Sequence, residues 1–287
     1  MSLLDKSVAI ENFLGIEGFD IYWYGILIAT GFLLAYLLYA YFAKKRNYPK
    51  DMPSDVLIIS MLCAVVGARL YYVIFEWNSY YVAGDFLGTL KNIVDIRRGG
   101  LAIYGGVIAA IIGLAVYAKV KKMNLLKIID IAAAPLTLGQ AIGRWGNFFN
   151  QEAHGAQVVD PKLQFFPYAV FLDSPKGGEP VGWYQATFFY ESLWCLLLCA
   201  FLIFMFRKQK YNGQLVLFYF ALYGLERGIV EWLRTDQLKI FGIPVSAILS
   251  LVLCIAAVVL LIIAKVKNYT TPIGEKAENK ENEVEEK

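Results

Sequence analysis

The sequence predicts an all-α polytopic membrane protein with about seven transmembrane helices, the N-terminus outside and the C-terminus cytoplasmic. Three observations predict this. Hydrophobic residues make up 58% of the chain and charged residues 18%, whereas soluble domains run at roughly 45–50% and 25%. The apolar residues gather into runs of about 20, the length that crosses a bilayer's hydrocarbon core. Lysine and arginine concentrate in alternate connections between those runs, as the positive-inside rule requires.

Taken in order, residues 1–20 carry one lysine and four acids and read as an extracytoplasmic N-terminal segment without a cleavable-signal pattern. Candidate spans follow at 21–43, 54–75, 101–119, 128–149, 188–206, 214–233 and 243–265. Together they give one seven-helix domain over 21–267, with 150–187 as its long outer connection. The span at 128–149 carries Asp130, Pro135, Gln140 and Arg144, so a tilted or broken helix is expected there. Broken backbone at bilayer depth must be buried in protein or line a wet cavity. Residues 268–287 have almost no apolar content and read as a disordered cytoplasmic tail.

Orientation follows from the charges. The connection after the first span holds Lys44, Lys45, Arg46 and Lys50, and that after the third holds Lys119, Lys121, Lys122 and Lys127. Arg207, Lys208 and Lys210 follow the fifth span, and Lys265 and Lys267 the seventh. Residues 150–187 hold two lysines against four acids. The exception is 76–100, with Lys91, Arg97 and Arg98. Aromatic residues crowd the outer connections, among them Trp23, Tyr24, Trp77, Tyr80, Tyr81, Trp183 and Tyr184. They read as bilayer anchors at headgroup depth or as a rim for lipid to pass.

Composition also excludes classes of function. A net charge of +3 that is scattered along the chain argues against nucleic acid. The four cysteines (Cys63, Cys195, Cys199, Cys254) all fall in apolar segments, and His154 is the only histidine. No disulfide framework, metal site or organic cofactor is therefore expected.

The informative residues are the ionisable ones inside apolar runs, each costing about 2.5–3.5 kcal/mol to insert. They are Arg69, Asp130, Arg144, Glu191, Glu226, Arg227, Glu231 and Arg234. Tyr223, Arg227, Glu231 and Arg234 are spaced four, four and three, which puts them on one helical face. Two readings stay open there: a structural ion pair, or arginines kept for a phosphate, which a planar guanidinium grips two oxygens at a time. The run from Gly143 to Gly155, GRWGNFFNQEAHG, gathers Arg144, Asn147, Asn150, Glu152 and His154 at the outer boundary. A cap and loop would account for its glycines and amides but not for Arg144 beside Glu152. Tyr104 opens the third span before Gly105-Gly106. Its glycines suit close helix packing, and its hydroxyl could reach a ligand.

These residues carry a resemblance. The stretch Gly143–Gly155 is similar to the signature of the prolipoprotein diacylglyceryl transferase family, and the likeness extends over roughly residues 20–265. Tyr24-Gly25, Gly67-Ala68-Arg69, the Gly-Gly pair after Tyr104, Asp130, Tyr190-Glu191 and Tyr223 through Arg234 also match. The resemblance implies a multi-pass enzyme of the bacterial cell membrane whose active site faces the outer leaflet. It implies transfer of the diacylglyceryl group of phosphatidylglycerol to the thiol of a lipobox cysteine in a prolipoprotein. A thioether forms and glycerol phosphate leaves. Carried over by position, it points to Arg144, Arg227, Glu152 and Glu231 for catalysis, and Tyr104 joins them as a candidate from its own place before the Gly-Gly pair. Substrate binding falls to Tyr24, Arg69, Asp130, Asn147, Gly155, Tyr223 and Arg234.

One departure bears on mechanism. Family members often have a histidine, proposed as a base, before the Gly-Gly pair, where this chain has Tyr104. A tyrosine, with a reference pKa near 10, is a poorer base at neutral pH. The expectation is that Arg144 and Arg227 hold the phosphate, Glu152 and Glu231 orient them, and Asn147 binds headgroup oxygens. The competing reading from another class is a transporter or channel for an anionic solute. Broken helices and intramembrane charge suit that too, but no inverted repeat is visible.

Overall fold

The computed structural model describes residues 7–96, 99–176, 178–234, 239–240 and 243–274. Arg97, Arg98, the first six residues and 275–287 of the expected tail lie outside the described residues. The described chain is mostly helical. It runs α1 (Trp23–Lys45), α2 (Met52–Phe75), α3 (Trp77–Tyr80), α4 (Phe86–Val94), α5 (Ile103–Val120), α6 (Leu125–Asp130), α7 (Ala133–Phe149), α8 (Thr187–Phe206), α9 (Gln214–Val230) and α10 (Val245–Val266). Three short antiparallel hairpins pair β1 (Val8–Ile10) with β2 (Ile21–Tyr22), β3 (Ala169–Leu172) with β4 (Gly182–Gln185), and β5 (Lys239–Ile240) with β6 (Ile243–Pro244).

Among the described residues, six helical stretches are long and apolar enough to cross a membrane: α1, α2, α5, α6–α7 taken together, α8 and α10. The chain is thus a polytopic helical membrane protein. The sixth sequence span, 214–233, is α9 of 17 residues followed by a 3-10 turn at Glu231–Leu233. The expected break in 128–149 falls between α6 and α7. Pro135 lies in the first turn of α7, where a missing N–H is tolerated, and it has no N–H to give the carbonyl of Ile131, four residues back.

The chain divides into two compact units, Met1–Phe42 with Ile129–Lys287, and Ala43–Ile128. In the second unit α2 packs along α5. A Cβ on Gly105 would lie 2.2 Å from that of Tyr71 and one on Gly67 would lie 2.1 Å from that of Ala109, so only glycine allows this approach. Beyond the helix ends Lys121 bonds Asp51 at 2.9 Å. That hydrogen bond lowers the Asp51 carboxyl pKa and raises that of the Lys121 ammonium. Both groups are exposed, so the pair adds little stability.

In the larger unit α7 packs on α8, α8 on α9 and α9 on α10. Half of the Leu125–Phe149 window is buried, compared with 17% for α2 and α10. The helix with the most polar residues is therefore the most enclosed. That is where intramembrane charge can be satisfied.

Candidate active site

Along α7, Gly139, Gln140, Gly143, Arg144 and Asn147 recur every three or four residues and so share one face. Opposite them on α1 stand Tyr24, Ile28, Gly31, Phe32 and Ala35, and the two rows line a cleft of about 340 Å³. A Cβ on Gly146 would sit 2.6 Å from the Tyr24 ring, so glycine there lets the tyrosine lie against the helix. The cleft is apolar along most of its length and polar at Gln140, Arg144 and Asn147. That is the profile of a pocket for an amphiphile.

Behind Arg144 lies a charge cluster from three helices. Glu191 Oε2 on α8 accepts from Arg144 Nη2 at 2.9 Å and from Arg227 Nη1 at 2.7 Å. Arg227 Nη2 pairs with Glu231 Oε2 at 2.6 Å. Glu231 Oε1 accepts from Ser246 Oγ on α10 at 2.5 Å. Tyr223 lies beside Arg144 and stacks on Tyr219, 5.2 Å between centroids. The Tyr219 hydroxyl accepts from Gln140 at 3.0 Å. Glu226 completes the cluster, buried near both arginines, Glu191 and Glu231, with no hydrogen bond to either oxygen among the described residues.

The 150–187 connection adjoins this end. Gly155 N donates to Gln185 O, Gln185 N to Ala156 O and Val158 N to Trp183 O, extending the β3–β4 hairpin. Thr187 Oγ1 donates to Ala153 O at 2.6 Å, and the His154 ring packs on Tyr184 at 4.4 Å. Gln151 and Ala153 both have left-handed backbone, with φ of 51° and 56°, an uncommon conformation for residues other than glycine.

The structure thus brings Arg144, Arg227, Glu231 and Tyr223 together, with Tyr24 and Asn147 around the adjoining cleft. Other expectations need correction. Glu152 does not orient an arginine: its carboxylate meets Lys176 Nζ at 3.1 Å and Asn150 Nδ2 at 3.0 Å. Arg234 leaves the helical face it was placed on, because the helix ends at Val230. It has extended backbone and forms a β-bridge with Gly155.

Asp130, expected at the substrate, caps α9 instead. It is 1% exposed and accepts from Gly213 N at 3.1 Å, Val216 N at 2.8 Å and the Gln209 side-chain amide. Gly213, at the N-cap, has no side chain to do this. Arg144 lies fourteen residues after Asp130, and Arg227 fourteen after Gly213, each roughly 20 Å of helix rise.

Arg69, in the smaller unit, is committed to backbone. Its guanidinium donates to the carbonyls of Asn92, Ile93, Asp95, Gly99 and Gly100 at 2.7–3.0 Å and to the Tyr80 hydroxyl. It organises that loop and has no donor left for a lipid. Tyr104 is 43% exposed. Sequence reasoning gave no role to Glu191, the carboxylate both arginines share. The available signal was the high cost of an acid inside an apolar run.

The family model for prolipoprotein diacylglyceryl transferase matches residues 11–263. A phosphatidylglycerol–prolipoprotein diacylglyceryl transferase of Finegoldia magna is 44% identical over 246 residues, covering 85% of this chain and 92% of the relative. Proteins of the same name from Clostridium botulinum (strain Loch Maree / Type A3) and Clostridium kluyveri (strain ATCC 8527) are 40% and 41% identical. They cover 86% and 83% of this chain, and 94% and 89% of the respective relatives. The chain belongs to the prolipoprotein diacylglyceryl transferase family.

Proposed function

We propose that this protein transfers the diacylglyceryl group of phosphatidylglycerol to the lipobox cysteine thiol of a prolipoprotein. The observation that carries the reading is Arg144 and Arg227 on one oxygen of Glu191, beside an apolar cleft that Arg144 lines. The cleft suits acyl chains, and the guanidiniums suit the phosphate. Asn147 stands beside Arg144 to bind headgroup oxygens, and Tyr24 walls the cleft opposite.

In the reaction the thiol loses its proton, and its sulfur attacks the lipid glycerol carbon that bears the phosphate. The C–S bond forms as the C–O bond breaks, and its electron pair leaves on glycerol phosphate, which gains one negative charge. The nucleophile comes with the substrate, so the enzyme needs none of its own. Arg144 and Arg227 stabilise the charge growing on the leaving oxygen, commonly the largest catalytic contribution. A guanidinium close to the sulfur would also favour the thiolate over a thiol of ordinary pKa near 8.5.

The same proposal makes α9 the seventh span, with the N-terminus outside and the basic helix ends at Lys44, Lys119, Arg207 and Lys265 cytoplasmic. The arginine cluster would then face the outer leaflet. The test mixes purified protein with phosphatidylglycerol and a lipobox peptide and reads the mass added to the peptide thiol. Arg144→Ala and Arg227→Ala should each abolish transfer while remaining membrane-inserted. Full activity in both would remove the assignment.

A further inference from the structure

At the opposite end of α9 and α10 lies a second cavity, larger than the cleft and untouched by the transferase site. It measures about 590 Å³. Its wall is apolar where the helices would face lipid, with Phe218 on α9 and Val258, Leu261 and Ile262 on α10. Its mouth carries Lys210 and Lys265 and no acid. Neither lysine has an ion pair among the described residues.

The two lysines come from separate elements, and the fold holds them at one opening. After α10 the chain turns back onto the connection before α9. Thr271 N donates to Lys210 O at 3.1 Å, Asn212 N to Thr271 Oγ1 at 2.7 Å, and Asn212 Nδ2 to Pro272 O at 3.1 Å. Tyr211 and Tyr269 meet edge to face at 5.4 Å. This strap fixes the backbone of the Lys210 connection against the end of α10.

From this we infer a binding site for an anionic phospholipid. One acyl chain lies along Phe218, Val258, Leu261 and Ile262, and the phosphate sits between the Lys210 and Lys265 ammonium groups. Charge complementarity selects the occupant. An apolar groove alone takes any lipid, whereas unpaired lysines at its mouth favour a negative headgroup, as basic clusters at a membrane surface do. The inference does not rest on the transferase reading.

The test uses native mass spectrometry of the full-length protein, titrated in turn with phosphatidylserine and phosphatidylcholine. The wild type should retain one more phosphatidylserine than phosphatidylcholine, and excess inorganic phosphate should not displace it. The Lys210→Gln/Lys265→Gln double variant should bind that extra lipid at least about tenfold more weakly. Its peptide-lipidation rate should match wild type, which separates this site from the arginine cluster. Equal retention of the two lipids, full displacement by inorganic phosphate, or an unchanged double variant would each overturn the proposal.

Discussion

Replacing Glu191 should disable the protein in two measurable ways at once. Its Oε2 accepts from two guanidiniums, at 2.9 and 2.7 Å, and its side chain is 1% exposed. Glu191→Ala leaves two half-buried cations without their shared carboxylate. Removing one partner of a buried ion pair typically costs about 3–5 kcal/mol. Glu191→Gln retains a neutral acceptor, and charge-assisted bonds are about twice as strong as neutral ones, so roughly half that loss is expected. At about 2–4 °C per kcal/mol, Glu191→Gln should lower the melting temperature in a fixed detergent by roughly 3–10 °C, and Glu191→Ala by more. Transfer should fall by about 100-fold in Glu191→Gln, the usual penalty for misplacing a catalytic group by about 1 Å. Both are read on the same preparation, by a thermal scan and by mass added to the lipobox peptide. If Glu191→Gln melts with wild type and turns over within about twofold of it, Glu191 does not organise the arginines and the argument fails.

Three further outcomes follow from the same geometry. Glu226→Gln should leave the melting temperature unchanged or raise it, unlike Glu191→Gln, because neither Glu226 oxygen has a hydrogen bond to lose among the described residues; a drop as large as that of Glu191→Gln would contradict this. Asp130→Ala strips the N-cap of α9 and should cost at least about 3 kcal/mol, since its two backbone bonds, to a charged acceptor, contribute about 1.5–3 kcal/mol each. Its transfer rate per folded molecule should hold, and a rate loss without a melting shift would place Asp130 at the substrate after all. Tyr104→Phe should reduce initial rates less than about tenfold, because losing a general base costs about 100-fold or more; a loss of that size would make Tyr104 the proton acceptor.

Hydropathy made the spans legible because the bilayer fixes their length, and Pro135 made the α6–α7 break legible because it removes one hydrogen bond. Partner choice inside the site was less legible. Glu152 is eight residues from Arg144 and looked like its partner, but the left-handed backbone at Gln151 and Ala153 takes the carboxylate to Lys176. The real partner, Glu191, is 47 residues away, and a tertiary contact leaves no mark on local spacing. The four-four-three spacing through Arg234 also outlasted its helix, since periodicity does not register a chain that leaves α9 after Val230. Asp130 and Arg69 looked functional because intramembrane charge is expensive. Backbone groups turn out to satisfy both: the bare N-terminus of α9 for Asp130, and five carbonyls at the end of α4 and in the loop after it for Arg69.

Pairing with carboxylates does not seal the arginines from a ligand. Two guanidiniums on one oxygen have their Nη atoms no further apart than the two bonds laid end to end, under about 6 Å. Apart from such an acceptor they would repel each other, and a mobile pair would have to be gathered at the moment of reaction. Glu191 gathers them in advance, which is where preorganised electrostatics takes its advantage. The Arg144 and Arg227 side chains keep 18% and 16% of their surface exposed, against 1% for Glu191. The carboxylate therefore holds them from the protein side. Arg144 opens on the cleft, where, on the proposed reading, a phosphate gaining charge as it leaves would find a cation already in place.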